Sequence, residues 1–109
     1  MEKDIIQKTL LELRRGVIII AVLSQLGEEQ YGYKLLKMLS NQGFEVEQGT
    51  LYPLLRRLES QGLLNSSWKL EESRPRRYYI ISEKGQETLP QLIKEWRGIE
   101  NLINKLLGE

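Results

Sequence analysis

Three arginines fall within four residues, Arg74, Arg76 and Arg77. Guanidinium groups so spaced either grip phosphate oxygens through paired N–H donors or make an ordinary solvated face. Their surroundings share the bias. Between Arg56 and Arg77 stand six cations (Arg56, Arg57, Lys69, Arg74, Arg76, Arg77) against three carboxylates (Glu59, Glu71, Glu72), a local charge of +3 in a chain whose total is only +1. The distribution of charge, rather than its total, marks a nucleic-acid footprint. Covalent and metal chemistry have little to work with. The chain holds no Cys and no His, which removes thiol nucleophiles, redox switches, thiolate zinc sites and imidazole bases. No carboxylates follow calcium-loop spacing, and Gly43, Gly49 and Gly62 are isolated rather than gathered into a phosphate loop. The expectation is a non-enzyme with no metal site and no cofactor.

The elements that must position these arginines can be read from periodicity. From Asp4 to Leu26, apolar residues recur at three- and four-residue steps through Ile5, Ile6, Leu10, Leu13, Val17, Ile20 and Leu23, which predicts one long helix. The stretch Val17–Leu23 is apolar all round and should be covered on more than one side. It is too short to span a bilayer, which needs about 20 apolar residues. Gly16, mid-pattern, suggests close packing or a bend. A second helix is expected from about Tyr31 to Gln42, with Leu35, Leu36 and Leu39 inward and Gly43 as its stop. A third should begin near Gly49–Thr50, carry Pro53 in its first turn, bury Leu51, Leu54, Leu55 and Leu58, and end at Gly62.

The period then changes to two. Leu64, Ser66, Trp68 and Leu70 alternate with Asn65, Ser67 and Lys69, and after a polar break Tyr78 and Ile80 alternate with Arg77, Tyr79 and Ile81, which predicts a β-hairpin with Trp68 in the core and Pro75 at an open edge. Ser82 can cap a last helix, Glu83–Leu107, with the stripe Leu89, Leu92, Ile93, Trp96, Ile99, Ile103 and Leu106 and a kink near Pro90. The fold class is mainly α with a two-stranded β wing, in the order α-α-α-β-β-α: a winged helix-turn-helix over residues 1–82 and a C-terminal dimerisation helix over 83–109. At 109 residues this is one domain's worth of chain. With no secretory leader pattern and no membrane span, the expected location is the cytoplasm.

The segments YGYKLLKML (Tyr31–Leu39), GTLYPLLRRLESQGLL (Gly49–Leu64) and RPRRYYIISEKG (Arg74–Gly85), with LRRGVIIIAVL (Leu13–Leu23), closely resemble the PadR family of bacterial transcriptional regulators. The single C-terminal helix carrying Trp96 is similar to the small subgroup that includes multidrug-sensing repressors of efflux pumps. Two positions depart from the pattern. The wing tip EESRPRR lacks the glycine that relatives often place there, and Ser82 stands where the family usually has Thr.

In a winged helix-turn-helix the third helix enters the major groove of double-stranded DNA. Its N-terminal end offers Gln48, Thr50, Tyr52 and Arg56, of which Arg56 or Gln48 can read a base edge. Tyr52 is equally suited to half-buried packing beside Pro53. On the second helix Tyr33, Lys34 and Lys37 are candidate phosphate contacts. In the wing, Arg74, Arg76 and Arg77 can reach backbone or minor groove, and alternation points Arg76 and Arg77 to opposite faces. One such unit makes too few base contacts for an operator, so a homodimer through the first and last helices is expected on a pseudo-palindromic site. Trp96 is either an anchor of that dimer or, as the resemblance implies, a plate that sandwiches a planar aromatic effector, with Val17, Leu89, Leu92, Ile93 and Glu100 as matching wall positions. The rival reading is a winged-helix protein-interaction module that binds DNA weakly or not at all.

Overall fold

A computed structural model describes residues 2–109. The first helix, α1, covers Glu2–Gln25 and ends where the Gln30 side chain donates from Nε2 to the Gln25 carbonyl at 2.8 Å. A two-residue strand, β1 (Gln30–Tyr31), leads into α2 (Gly32–Asn41) and then α3 (Gln48–Ser60). The wing follows as β2 (Leu64–Glu71) and β3 (Arg74–Ile81), and α4 (Glu83–Leu106) closes the chain. The expected order holds, with one addition. β1 pairs antiparallel with β3 through Gln30↔Tyr79 and Tyr31↔Tyr78, so the sheet has three strands in the order β1-β3-β2. No helix among the described residues is long and apolar enough to cross a membrane.

The helix-turn-helix is built by apolar spacing and glycine punctuation. Leu35 and Leu39 of α2 meet Leu51, Leu54, Leu55 and Leu58 of α3 over Ile18, Val22, Leu23 and Leu26, the core of the molecule. Both helices end in the same way. Gly43 (φ +92°) and Gly62 (φ +83°) adopt the left-handed conformation, and the residues after them, Phe44 and Leu63, donate back to the carbonyls of Leu39 and Leu58 at 2.8 and 2.9 Å. This is a Schellman cap, which lets the chain reverse while satisfying otherwise orphaned carbonyls. α3 starts at Gln48, earlier than expected, because the Glu47 carbonyl already accepts from Thr50 and Leu51. Pro53 therefore lies in the second turn rather than the first. Its nitrogen cannot donate to the Gly49 carbonyl, a loss tolerated because both residues face water.

The wing is a tight hairpin. Glu71↔Arg74 is its last pair, leaving Glu72 and Ser73 as a two-residue turn with φ of +49° and +65°. Two positive φ values match the twist of the flanking strands, so the turn geometry that glycine would favour is taken by non-glycine residues. Pro75 pairs with Leu70 beyond the reach of β1, so the missing N–H leaves no ladder bond broken.

α4 is seated on the wing base by one residue. Ser82 Oγ accepts from Gly85 N at 3.0 Å and donates to the Gly62 carbonyl at 2.6 Å, while Ser82 N donates to the Leu63 carbonyl at 3.0 Å. Gly85 is buried here, and a Cβ added to it would lie 2.3 Å from the Leu63 carbonyl oxygen and 2.6 Å from Ile81 Cγ1. Only glycine permits that approach. The helix continues unbroken through Pro90 and Gly98. Gly16, by contrast, is exposed with nothing near it, so the close packing expected there is not found within the chain.

The core covers only part of the helices. Residues 17–23 are all buried or half-buried, as their apolar character requires, but Ile5, Ile6, Leu10, Leu11 and Leu13 of α1 and Ile99, Leu102, Ile103 and Leu106 of α4 stand in solvent. The radius of gyration is 15.9 Å, against about 13 Å for a compact domain near this length.

Candidate nucleic-acid interface

α3 and the wing form the two walls of an open groove of about 720 Å³. Seven of the ten residues singled out for DNA contact line it: Tyr33, Gln48, Tyr52, Arg56, Arg74, Arg76 and Arg77. Lys34, Lys37 and Thr50 do not, although all three are exposed on α2 or the first turn of α3. Tyr52 is half-buried, its ring edge set against Gly32, where an added Cβ would meet Cε1 at 2.8 Å. Burial raises its phenol pKa, with the nearby Tyr33 adding to the shift. The half-buried packing expected of Tyr52 is therefore found, and the same residue lines the groove.

The register settles how the wing arginines differ. Arg77 pairs with Trp68 and shares the α3-facing side with Ser66, Tyr79 and Ile81, whereas Arg76 pairs with Lys69 on the opposite side. Arg77 is committed inward. Its Nη2 donates to Glu59 of α3 at 2.6 Å, its Nε donates to Ser66 Oγ at 3.1 Å, and Ser66 Oγ donates to the other Glu59 oxygen at 2.5 Å. The guanidinium also lies over the Tyr79 and Trp68 rings, 5.5 and 5.8 Å from their centroids. This three-residue clamp fixes the wing against α3.

On the other side Arg76 stacks over Tyr31 at 4.4 Å and sits 3.5 Å from Glu71. Glu71 also accepts the Tyr78 hydroxyl, which pushes the Tyr78 pKa up to about 12. Lys69 pairs with Glu29. Arg56, Arg74, Lys34 and Lys37 have no carboxylate partner among the described residues.

Sequence reasoning missed Glu59 and Ser66, and placed Trp68 wrongly. Trp68 is not core: it is 65% exposed. Alternation puts it on the correct face, but the core along that face reaches only Leu64, Ile81 and Tyr79, one cross-strand pair short of Trp68. A two-residue turn at Glu72–Ser73 sets Trp68 opposite Arg77 and puts Ser66 on the same face, but it does not point to Glu59 of α3 as their partner.

The residues singled out for an effector are only partly gathered. Leu89, Leu92, Ile93, Trp96 and Glu100 follow one another at steps of one, three and four, so they share a face of α4. Leu89 and Leu92 pack against the core, Val17 and Ile93 are half-buried, and Trp96 and Glu100 are exposed. A second groove, about 460 Å³, runs between the end of α1 and α4, but of this set it includes only Leu89 and Ile93.

Comparison with known proteins gives one family. The sequence model of the transcriptional regulator PadR-like family matches residues 19–91. A transcriptional regulator of Mycobacterium tuberculosis is 35% identical over 98 residues, which is 89% of each chain. The crystal structure of a PadR family transcriptional regulator from Eggerthella lenta is 46% identical, covers 97% of this chain and 95% of its own, and superposes with a TM-score of 0.90. A PadR-like transcriptional regulator from Bacillus cereus is 33% identical, with coverages of 93% and 98% and a TM-score of 0.69.

Proposed function

The chain belongs to the PadR-like family of transcriptional regulators, and from that premise we propose that it acts in the cytoplasm as a homodimeric repressor on a pseudo-palindromic operator. Residues 1–82 serve as the reading head and residues 83–109 as the dimerisation helix. The observation that carries the reading is the groove between α3 and the wing, with Arg56 and Arg74 on its walls and no carboxylate to neutralise them. In this arrangement α3 enters the major groove, Gln48 and Arg56 face base edges, and Thr50 with Lys34 and Lys37 holds phosphates. Arg74 reaches the backbone or minor groove, while Arg77 holds the wing.

Support for the dimer comes from the apolar rows left open on α1 and α4. Rows of this size on two adjoining helices are unusual for a monomer, and a two-fold partner would cover both at once. A planar effector between the subunits, bounded by Val17, Leu89, Leu92, Ile93, Trp96 and Glu100, would release DNA only through different affinities for two spacings of the reading heads. Trp96 supports this part, being 39% exposed in the middle of the α4 stripe.

A gel-shift titration against the duplex directly upstream of the chain's own gene tests the proposal. Retardation at low salt is expected, with affinity falling steeply as salt rises if a dimer neutralises roughly 6–10 phosphates. No retardation at low salt refutes it. Charge reversal at Arg56 and Arg76 should abolish the shift, whereas a protein-docking module would be indifferent.

A further inference from the structure

We propose that the outer half of the wing carries an apolar wedge, Trp68 with Leu70 and Pro75, which enters a groove of duplex DNA beside α3; the proposal rests on the DNA-binding reading above. Along this face of the hairpin the cross-strand pairs run Leu64↔Ile81, Ser66↔Tyr79, Trp68↔Arg77 and Leu70↔Pro75 from base to tip. The first pair is buried in the core. The last two project beyond it, with Trp68 65% and Leu70 75% exposed. Three apolar side chains held in water on the side of the sheet that faces the reading helix need an occupant.

Duplex DNA fits better than a second copy of the chain. Trp68 lines the same groove as Tyr52, Arg56 and Arg74. The two arginines on its rim are unpaired and complement phosphate, while Trp68, Tyr52 and Pro75 in the same lining offer flat or apolar surface to a sugar or an unstacked base step. The apolar rows that a second copy would cover lie on α1 and α4, and α4 departs from the wing base, four residues of strand from Trp68, or about 13 Å. The indole is also already oriented. Arg77, tied to Glu59 and Ser66, lies over one face of its ring, 5.8 Å from the centroid.

The test uses the Trp96→Phe protein, which leaves Trp68 as the sole indole, and the duplex directly upstream of the chain's gene. On complex formation, acrylamide quenching of Trp68 emission should fall severalfold. In the otherwise unaltered protein, Trp68→Ala and Leu70→Ser should each weaken binding, the former about tenfold, without changing the salt dependence. Arg74→Ala should instead lower the salt slope by about two, one for each subunit of the dimer.

A retarded complex in which acrylamide reaches Trp68 as freely as in the free protein overturns the wedge and leaves the regulator reading intact. So does a Trp68→Ala protein that binds as tightly as its parent, or shielding of Trp68 that grows with protein concentration and needs no DNA. If the unaltered protein retards no duplex, both readings fall.

Discussion

Gly85→Ala is the sharpest probe of how the wing, α3 and α4 are joined. The new methyl group would meet the Leu63 carbonyl oxygen at 2.3 Å and Ile81 Cγ1 at 2.6 Å, and the first of these is backbone, which cannot swing aside. Relief requires α4 to withdraw by roughly 1 Å. Overpacking of this kind costs about 1–3 kcal/mol. Withdrawal also strains the two bonds that Ser82 makes to the Gly62 and Leu63 carbonyls, each contributing about 1 kcal/mol. Against this, alanine is the better helix former by about 1 kcal/mol. The net expectation is a loss of about 3 kcal/mol, or a fall in Tm of roughly 15 °C. Urea unfolding followed by circular dichroism, at one fixed protomer concentration, measures it. Gly49→Ala is the control, because nothing lies near an added Cβ in that exposed helical turn; it should be neutral or slightly stabilising. A Gly85→Ala midpoint equal to the parent's, or a Gly49→Ala loss of the same size, would refute the reasoning.

Three further outcomes follow from the geometry. Glu59→Gln should cost roughly 1 kcal/mol, since the Glu59–Arg77 bond is partly exposed and screened, and should raise amide exchange along the wing more than in α2. The Tyr78 phenol, held protonated by Glu71 and raised to about 12, should ionise well after an ordinary tyrosine. The folded pKa lies above the unfolded value of 10.0, so the contact stabilises fully below pH 10 and its contribution disappears between pH 10 and 12. Absorbance titration at 295 nm with Tyr78→Phe as reference reads the late step, and Glu71→Gln should bring it forward. Ile103→Asp, placed in the open row of α4, should give a folded monomer by sedimentation and lose operator binding; a dimer of unchanged affinity would contradict the proposed interface.

Much of the fold was legible because each element carries both a period and a stop. The three- and four-residue steps gave the helices, Gly43 and Gly62 gave two of their ends, and Ser82 gave the start of α4. What was hidden lay below the reach of pattern. β1 has two residues, too few for alternation to register, and it exists because Gln30 and Tyr31 find partners in β3. The start of α3 carried no capping side chain, so it read one or two residues late and moved Pro53 into the wrong turn. For the interface, residue type and charge located most of the groove. Alternation set Arg76 and Arg77 on opposite faces but could not show which of them is tied down, because the Glu59 that claims Arg77 is 18 residues away. Nor could alternation tell how far along the wing burial extends, which is why Trp68 read as core.

A single residue, Ser82, separates the end of β3 from the beginning of α4. Hydroxyl and amide alike are bonded to the turn between α3 and β2, so the pivot has no slack. A helix of this length is a lever of about 36 Å. Tilting it by about 5° about that pivot carries its far end through roughly 3 Å. In the proposed dimer, with the far ends held against each other, the same rotation would swing helix and wing together as one body, with no intervening link to absorb the motion.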